Sequence, residues 1–180
     1  MLDRQPVLQD DRVRLRPLQA DDWDALYAVA GNRELWALHP RSDRWQQSVF
    51  REFFDDALAK QGALAIIDRN GDRIIGSSRF QSYDPADGGV VEIGWTFIAQ
   101  ELWGSGMNAR VKRLMLSHAL ASVERVVFRV GENNLVSRRA MEKIGGRLTG
   151  RTEEAEGATG PQRNVIYEID RAAFAQGPLA

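Results

Sequence analysis

The residues best suited to chemistry are two glycines, Gly104 and Gly106, directly before a basic run with helical spacing in QELWGSGMNARVKRLM (residues 100–115). A glycine turn that leads into a helix can present backbone N–H groups and the positive helix end to one concave site. Such a site suits a pyrophosphate. The residues whose amides would line it are Trp103, Gly104, Ser105, Gly106, Met107 and Asn108. The alternative is a plain helix start in which Ser105 is the cap.

Two familiar nucleotide-binding motifs do not fit this turn. A dinucleotide fingerprint requires a third glycine, where this chain has Ala109, and an acidic residue at the end of the next strand. That strand ends in Val130-Gly131, with Glu132 just beyond it. A Walker loop requires G-K-[ST], which is absent here. The identity of the phosphate therefore depends on the elements around the turn.

Composition bounds the remaining possibilities. The chain has 180 residues, a formal net charge of −1 and 43% hydrophobic residues, which indicates one domain (1–180, core about 12–170). It contains no cysteine and only two histidines, His39 and His118, so we expect no metal site. The charged N-terminus and the lack of a long apolar run predict a cytoplasmic protein with no membrane partner. The balanced charge gives no reason to expect nucleic acid.

Hydrophobic periodicity predicts the order β-α-α-β-β-β-α-β-α-β-β, a mixed sheet with helices on its faces. The strand at 90–98 is apolar enough to be central in this sheet. In chain order the predicted elements are a strand at 12–18, helices at about 19–32 and 44–60, two strands around an Asn70-Gly71 hairpin turn, a strand at 90–98, a helix at 106–121, a strand at 125–130, a helix at 134–146 and two strands around the loop 157–162.

This arrangement resembles the GNAT superfamily of N-acetyltransferases, from RVRLRPL (12–18) to VIYEI (165–169). The family's [QR]-x-x-G-x-[GA] loop matches Gly104 and Gly106, although Glu101 stands at the Gln/Arg position. The chain looks closest to the branch of the ribosomal-protein N-acetyltransferases, which share its L-R-P-L start and the aromatic residue before the glycine turn. The resemblance implies an α+β fold (an α/β/α sandwich) with a mostly antiparallel sheet of about seven strands.

A second family motif, N-x-x-[SA] opening a helix that ends in K-x-G, matches Asn134, Ser137, Lys143 and Gly145. The resemblance implies that Asn134 holds the pantetheine amide of coenzyme A and that Ser137 hydrogen-bonds or protonates the departing thiolate. The alternative is simple helix capping by Asn133 or Asn134. Many family members carry a tyrosine as general acid four residues after the serine, where this chain has Met141, which cannot donate a proton.

The resemblance also implies that acetyl-CoA is the cosubstrate, with its pyrophosphate on residues 103–108. Its pantetheine arm would lie like an extra strand beside Thr96, Phe97 and Ile98.

Glu92 is the candidate general base. It alternates with Val91 and Ile93, so its side chain projects from the opposite face of a strand that would border the acceptor cleft. There it could take a proton from the attacking amine, directly or through water. The alternative is that Glu92 pairs with an arginine such as Arg79 on a neighbouring strand.

Five cations could meet the phosphates of the coenzyme or form a solvated face: Arg110, Lys112, Arg113, Arg138 and Arg139. His118 is interpreted as a core or interface residue. The leading hypothesis is an enzyme that transfers an acetyl group to a primary amine, either a small molecule or a peptide, with a homodimer possible. The second is a non-catalytic acyl-CoA-binding or regulatory module. The third, another kind of nucleotide-binding domain, is disfavoured by the missing fingerprint residues.

Overall fold

The alternating and apolar runs form eight strands and five α-helices in the structure, a computed structural model that describes residues 1–180. The strands are β1 (Leu8–Gln9), β2 (Val13–Pro17), β3 (Ala63–Asp68), β4 (Arg73–Asp84), β5 (Val90–Ile98), β6 (Arg125–Gly131), β7 (Arg147–Gly157) and β8 (Gly160–Asp170). The helices are α1 (Trp23–Ala30), α2 (Gln47–Lys60), α3 (Met107–Leu120), α4 (Leu135–Lys143) and α5 (Arg171–Ala175).

All eight strands belong to one sheet in the order β1-β2-β3-β4-β5-β6-β8-β7. Every neighbouring pair is antiparallel except β5 and β6, which run parallel. The predicted mixed, mostly antiparallel sheet is therefore confirmed. The strand beyond the expected seven is β1, whose two residues pair with β2 and are too few to show a periodic pattern.

Helices cover both faces of the sheet, as predicted. The apolar sides of α1 and α2 pack on one face around Leu26, Phe50 and Phe54, with Phe97 of β5 beneath them. The apolar side of α3 packs on the other face with Met115 and Leu116, in a core that also receives Met141 and Ile144 from the region of α4. Successive side chains of a strand point to opposite faces of the sheet, so they enter one or the other of two separate cores.

The parallel contact between β5 and β6 is short. Only three residue pairs join the two strands, and the last of them is Glu92 with Val127. Beyond it β5 stays bonded to β4 alone and β6 to β8 alone, so a cleft opens between them. A break in the β4–β5 register between Ser77 and Arg79, together with Trp95 at a φ of 51°, marks the place where β5 changes direction.

Local boundaries differ from the sequence expectation in several places. In the last hairpin, β7 runs to Gly157 and β8 begins at Gly160, so the strands extend into the predicted loop 157–162. The second helix begins at Gln47 rather than near residue 44. The Asn70-Gly71 hairpin forms as predicted, but its loop is longer than a two-residue turn, and the positive φ falls on Asp72. None of the helices has both the length and the apolar character required to span a membrane.

The close approach of β4 and β5 at Gly76 predicts the effect of one substitution. A Cβ on Gly76 would overlap the carbonyl oxygen of Phe97 on the adjacent strand, so Gly76→Ala must push the two strands apart. We expect the free energy of unfolding to fall by about 1–3 kcal/mol, measured by urea denaturation. The control is Gly71→Ala, since the nearest atom there is the Cγ of Arg73 at 3.9 Å. Equal losses in the two variants would contradict this account.

Candidate active site

The glycine turn before α3 has the geometry of an anion site. Gly104 and Gly106 have φ values of 75° and 83°, and no atom lies within 4 Å of the position that a Cβ would take on either residue. The amides of these two glycines donate no hydrogen bond within the protein. The amide of Asn108 lies in the first turn of α3, where N–H groups have no partner within the helix. Three N–H donors are therefore free, and there is open space beside the two glycines.

The other amides predicted for this site are already engaged. Trp103 donates its amide to the Gln100 carbonyl at 3.0 Å, and Ser105 donates its own to the Leu102 carbonyl at 3.2 Å. The amide of Met107 donates to Ser105 Oγ at 3.4 Å. The N-cap residue of α3 is Gly106, and the helix has no side-chain cap hydrogen bond, so the alternative in which Ser105 is the cap was wrong, and the glycine amides stay free.

Two side chains flank the turn. Trp103 is about half exposed, and its indole N–H donates to the Ile98 carbonyl at 3.0 Å, which ties the turn to the end of β5. Glu101 is held by Arg73 at 3.0 Å, and hydrogen bonds and this cation lower its pKa. The carboxylate of Glu101 therefore binds Arg73 of β4 and not the glycine amides. Glutamate at the usual Gln/Arg position thus leaves those amides free.

Thr96, Phe97 and Ile98 line the β5 side of the cleft, and their side chains have different surroundings. Phe97 is buried against α1 and α2. Ile98 belongs to the core beneath α3. Thr96 Oγ1 forms hydrogen bonds with Ser78 Oγ at 2.7 Å and with Lys112 Nζ at 2.5 Å. The backbone edge of this segment that faces β6 carries no strand partner, so it is available to an extended ligand.

Glu92 stands at the narrow end of this cleft, at the last paired position of β5. It is buried, with 2% of its surface exposed, and both of its hydrogen bonds go to Oε2. Arg129 donates to that oxygen at 2.5 Å and Ser82 Oγ at 3.4 Å. Oε1 has no hydrogen-bond partner and lies 3.2 Å from the position that a Cβ on Gly94 would take. The carboxylate is therefore fixed through one oxygen, while the other faces a residue without a side chain.

The sequence alternative for Glu92 named the wrong arginine. Arg79 is buried but donates to Asp56 at 2.8 Å and to the Phe53 carbonyl at 2.7 Å, on the side of α2. The partner of Glu92 is Arg129, which also binds Glu153 of β7 at 2.7 Å. Arg129 follows Val127 by two residues and so shares its face of β6. The sequence alone could not predict this pairing, because it depends on the register between β5 and β6.

Opposing effects act on the basicity of Glu92. Burial raises the pKa of its carboxyl group, whereas the charge and hydrogen bond of Arg129 lower it, and the net direction is upward. A carboxylate with a raised pKa binds a proton more readily than an exposed one. Glu92 is thus a held, partly desolvated carboxylate with the properties of a proton acceptor.

The start of α4 lies next to β6. Asn134 is buried, with 8% exposed, and its Oδ1 accepts the amide of Ser137 at 3.1 Å, so Asn134 caps the helix. The hydroxyl of Ser137 is half-buried and makes no hydrogen bond within the protein. Met141 is packed in the core with α3, which confirms that it offers no proton. Ser137 therefore supplies the free hydroxyl at this end of α4.

The cations expected near the phosphates have separate positions. Arg110 is ion-paired with Asp10 and Asp11, and Arg138 donates to the Glu132 carbonyl and to Tyr167. Arg113 and Arg139 are exposed. Lys112 is buried against the sheet with 2% of its surface exposed, so for it the solvated-face interpretation was wrong. His118 is half-buried beside Phe80 and contacts the Asp3 carbonyl at 2.7 Å, consistent with a packing residue.

The site is closed on the Glu92 face by a crossing loop. The segment between α1 and α2 reaches the β7–β8 hairpin, where the amide of Ala158 donates to the Pro40 carbonyl at 2.8 Å. Within that segment Arg44 is buried, lies over the rings of Trp36 and Phe53, and has its pKa lowered by burial to about 9. The loop and the hairpin are thus joined on the Glu92 face of the sheet, where Glu153 of β7 also binds Arg129.

The pairing of Glu92 with Arg129 predicts a pH-dependent loss of stability in Arg129→Gln, which leaves the carboxylate buried without a cation. We expect the free energy of unfolding to fall by about 1–3 kcal/mol at neutral pH. Without Arg129 the pKa of Glu92 in the folded protein rises further above its value in the unfolded chain. The loss is therefore largest above that pKa and shrinks as the pH falls below it.

Urea denaturation between acid and neutral pH measures this dependence. Arg73→Gln is the control, because its ion pair with Glu101 is exposed and should contribute less than about 1 kcal/mol. A loss in Arg129→Gln that does not change with pH would contradict the role of Glu92.

Comparison with known proteins identifies the family. A family model described as an acetyltransferase (GNAT) domain matches residues 12–147. A search of curated protein sequences returned no significant match. Solved structures with the same fold include a GCN5-related N-acetyltransferase from Brucella melitensis, with a TM-score of 0.84 at 19% identity, covering 95% of this chain and 81% of the other.

RimJ from Mycobacterium smegmatis, in complex with CoA-disulfide, has a TM-score of 0.76 at 16% identity, covering 97% of this chain and 90% of the other. Spermidine N-acetyltransferase from Vibrio cholerae, in complex with CoA and spermine, has a TM-score of 0.71 at 15% identity, covering 92% and 99%. At these identities the likeness concerns the fold. Since the family model spans most of the chain and agrees with its sheet and glycine turn, the protein belongs to the GNAT family of acetyltransferases.

Proposed function

We propose that this protein is an N-acetyltransferase that moves an acetyl group from acetyl-CoA to a primary amine by direct attack in a ternary complex. The observation that carries the proposal is the unpaired edge of β5, which leads from the glycine turn to the free oxygen of Glu92. Six residue steps separate Ile98 from Glu92, about 20 Å of extended chain. An extended pantetheine arm is comparable in length.

Under this proposal the coenzyme is held mainly by backbone groups. Its pyrophosphate lies on the free amides of Gly104, Gly106 and Asn108, at the positive end of α3. Its pantetheine arm lies along Thr96–Ile98 as an added strand, with Asn134 contacting a pantetheine amide from the β6 side. The thioester then reaches the bend of β5 at Gly94 and Trp95, where a strand-end N–H can stabilise the oxyanion.

The amine enters from the face of the sheet that carries Glu92. At neutral pH it is mostly protonated, so it must lose a proton before its lone pair can attack the thioester carbon. Glu92 Oε1 receives this proton, through a water because the carboxylate itself is buried. Arg129 and Ser82 fix the orientation of the carboxylate through Oε2. Ser137 hydrogen-bonds the sulfur as the carbon–sulfur bond breaks.

The acceptor class is a primary amine on a small molecule or a peptide. The β7–β8 hairpin carries Glu154 and Glu156 beside the crossing loop, and an acidic wall suits a cationic acceptor. Two related folds are consistent with this class, since one is a spermidine N-acetyltransferase in complex with spermine, and another is ribosomal-protein-S5-alanine acetyltransferase from Vibrio fischeri.

One observation favours a second candidate, a non-catalytic acyl-CoA-binding or regulatory module. Met141 occupies the position of the family's proton-donating tyrosine and is packed in the core. A module of this kind would bind the coenzyme and turn nothing over.

Coenzyme binding is the first test. We expect CoA and acetyl-CoA to bind in calorimetry, and ATP and NAD to bind much more weakly or not at all. Gly106→Ala should weaken CoA binding by at least about tenfold, because a left-handed backbone disfavours alanine and the amide at this position then shifts. Gly150→Ala is the matched control, with a φ of 77° and equally open space but on β7. Equal CoA affinity in both variants would contradict the loop assignment.

Turnover is the second test. Release of free CoA thiol with a panel of amines should identify an acceptor, and Glu92→Gln should lower kcat by about 10²–10⁴-fold with little change in acetyl-CoA affinity. The matched control is Glu168→Gln. Val127 pairs with Glu92 on one side and with Glu168 on the other, and Glu168 is also ion-paired with arginines. The Glu168→Gln variant should nevertheless keep the turnover of the wild type.

Full turnover in Glu92→Gln would refute the base assignment and leave the enzyme proposal intact. Tight acetyl-CoA binding without turnover across broad amine panels would favour the binding module.

A further inference from the structure

Lys112 is one of the buried charged residues that have no part in the proposed acetyl transfer. It lies on the inward side of α3, and only 2% of its surface is exposed. None of the ion pairs in the structure includes it, and its one hydrogen bond runs from Nζ to Thr96 Oγ1 at 2.5 Å. Burying an ammonium group without a carboxylate partner costs desolvation free energy. An apolar side chain of similar length would fill the same space without that cost.

The surroundings of Nζ place it at the cleft. Thr96 belongs to β5, and the ring of Phe128, whose centroid is 5.6 Å from Nζ, belongs to β6. Both residues lie beyond the last pair of these strands, Glu92 with Val127. The ammonium group therefore bridges the opening between β5 and β6 on the α3 side, across the sheet from Glu92.

Lys112 is badly placed for the pyrophosphate. It lies six residues beyond Gly106, in the second turn of α3, about 9 Å along the helix axis from the glycine turn. Its side chain donates a hydrogen bond to Thr96, at the thioester end of the segment proposed for pantetheine, and makes no hydrogen bond with the turn residues. The ligand group nearest to Nζ is then the sulfur end of the arm.

The donor capacity of Nζ is mostly unused. An ammonium group has three N–H donors, and Thr96 takes one of them. Thr96 Oγ1 is itself shared with Ser78 Oγ at 2.7 Å, which holds the hydroxyl in place. Two donors remain for a ligand in the cleft.

We propose that the Lys112 ammonium group stabilises the thiolate of CoA as it leaves and gives it a proton, in the role that Met141 cannot fill. This inference rests on the proposed function. In the step, the neutral amine nitrogen forms the C–N bond and then loses its surplus proton to solvent, the C–S bond breaks with its electron pair on sulfur, and Nζ transfers one proton to sulfur. The neutral Lys112 regains a proton from solvent after CoA departs.

Charge and acidity both suit this step. Burial lowers the pKa of Lys112 to about 7, toward that of a thiol, so its ammonium group gives up a proton more readily than that of an exposed lysine. Glu92 and Arg129 lie on the opposite side of the sheet and bind each other. On the α3 side, Tyr167 of β8 is paired with Phe128, and its hydroxyl group is hydrogen-bonded to Arg138 and Glu142 of α4. Ser137 contacts the sulfur from α4 as a neutral hydrogen-bond donor.

The test uses CoA itself and needs no acceptor. The ultraviolet absorbance of the thiolate, followed against pH in the complex, gives the apparent pKa of the bound CoA thiol. We expect this pKa to be higher by about 1–3 units in Lys112→Met than in the wild type, because the positive charge is gone. Lys60→Met, which removes an exposed lysine of α2, should titrate like the wild type.

Folding and binding controls keep the outcomes distinct. Lys112→Met should unfold at the same or a higher temperature, since it removes a buried charge. Lys112→Gln, which keeps a donor for Thr96, serves as the second uncharged variant. An unchanged thiol pKa in the folded, CoA-bound variants would overturn the proposal, and so would loss of CoA binding, which would make Lys112 a binding residue. Failure of the wild type to bind CoA would instead refute the proposed function before any variant is compared.

Discussion

The short parallel contact between β5 and β6 is the constraint on which the rest of the site depends. Three residue pairs hold the strands together, and the bend at Trp95 then carries β5 away while β6 stays with β8. A sheet that stayed fully paired would leave no backbone edge free in its middle for a ligand, and its two cores would be separated without a gap. The divergence opens a cleft through the middle of the sheet, with a different core on each side.

The two faces of that cleft differ in charge, and the proposed chemistry follows from the difference. On the side of α1 and α2, Glu92 is anchored by Arg129 and keeps one carboxylate oxygen free. On the side of α3, Lys112 contributes a cation with no carboxylate near it. An acyl transfer to an amine removes protons from the nitrogen and supplies one to the sulfur. A proton acceptor and a proton donor on opposite faces of one cleft match these two needs.

Much of the fold could be predicted from the sequence, and so could the parts of the site that are local. The Asn70-Gly71 turn, the glycine turn before α3 and the capping of α4 by Asn134 each depend on a few neighbouring residues. The partners of Glu92 and the burial of Lys112 could not be predicted in this way. Arg129 is 37 positions from Glu92, and only the strand register brings them together. A basic cluster at a helix start predicts solvent exposure unless the helix orientation is known.

The sequence by itself determined the order of the elements apart from β1 and α5, the two-faced sheet and the glycine turn at Gly104 and Gly106, because period, glycine conformation and capping are local properties. Only the tertiary structure decided that β5 and β6 separate after Glu92, that Arg129 rather than Arg79 holds the carboxylate, and that Lys112 turns inward to Thr96. These outcomes depend on long-range pairing and packing, in which each group takes the partner that the register and helix position bring within reach.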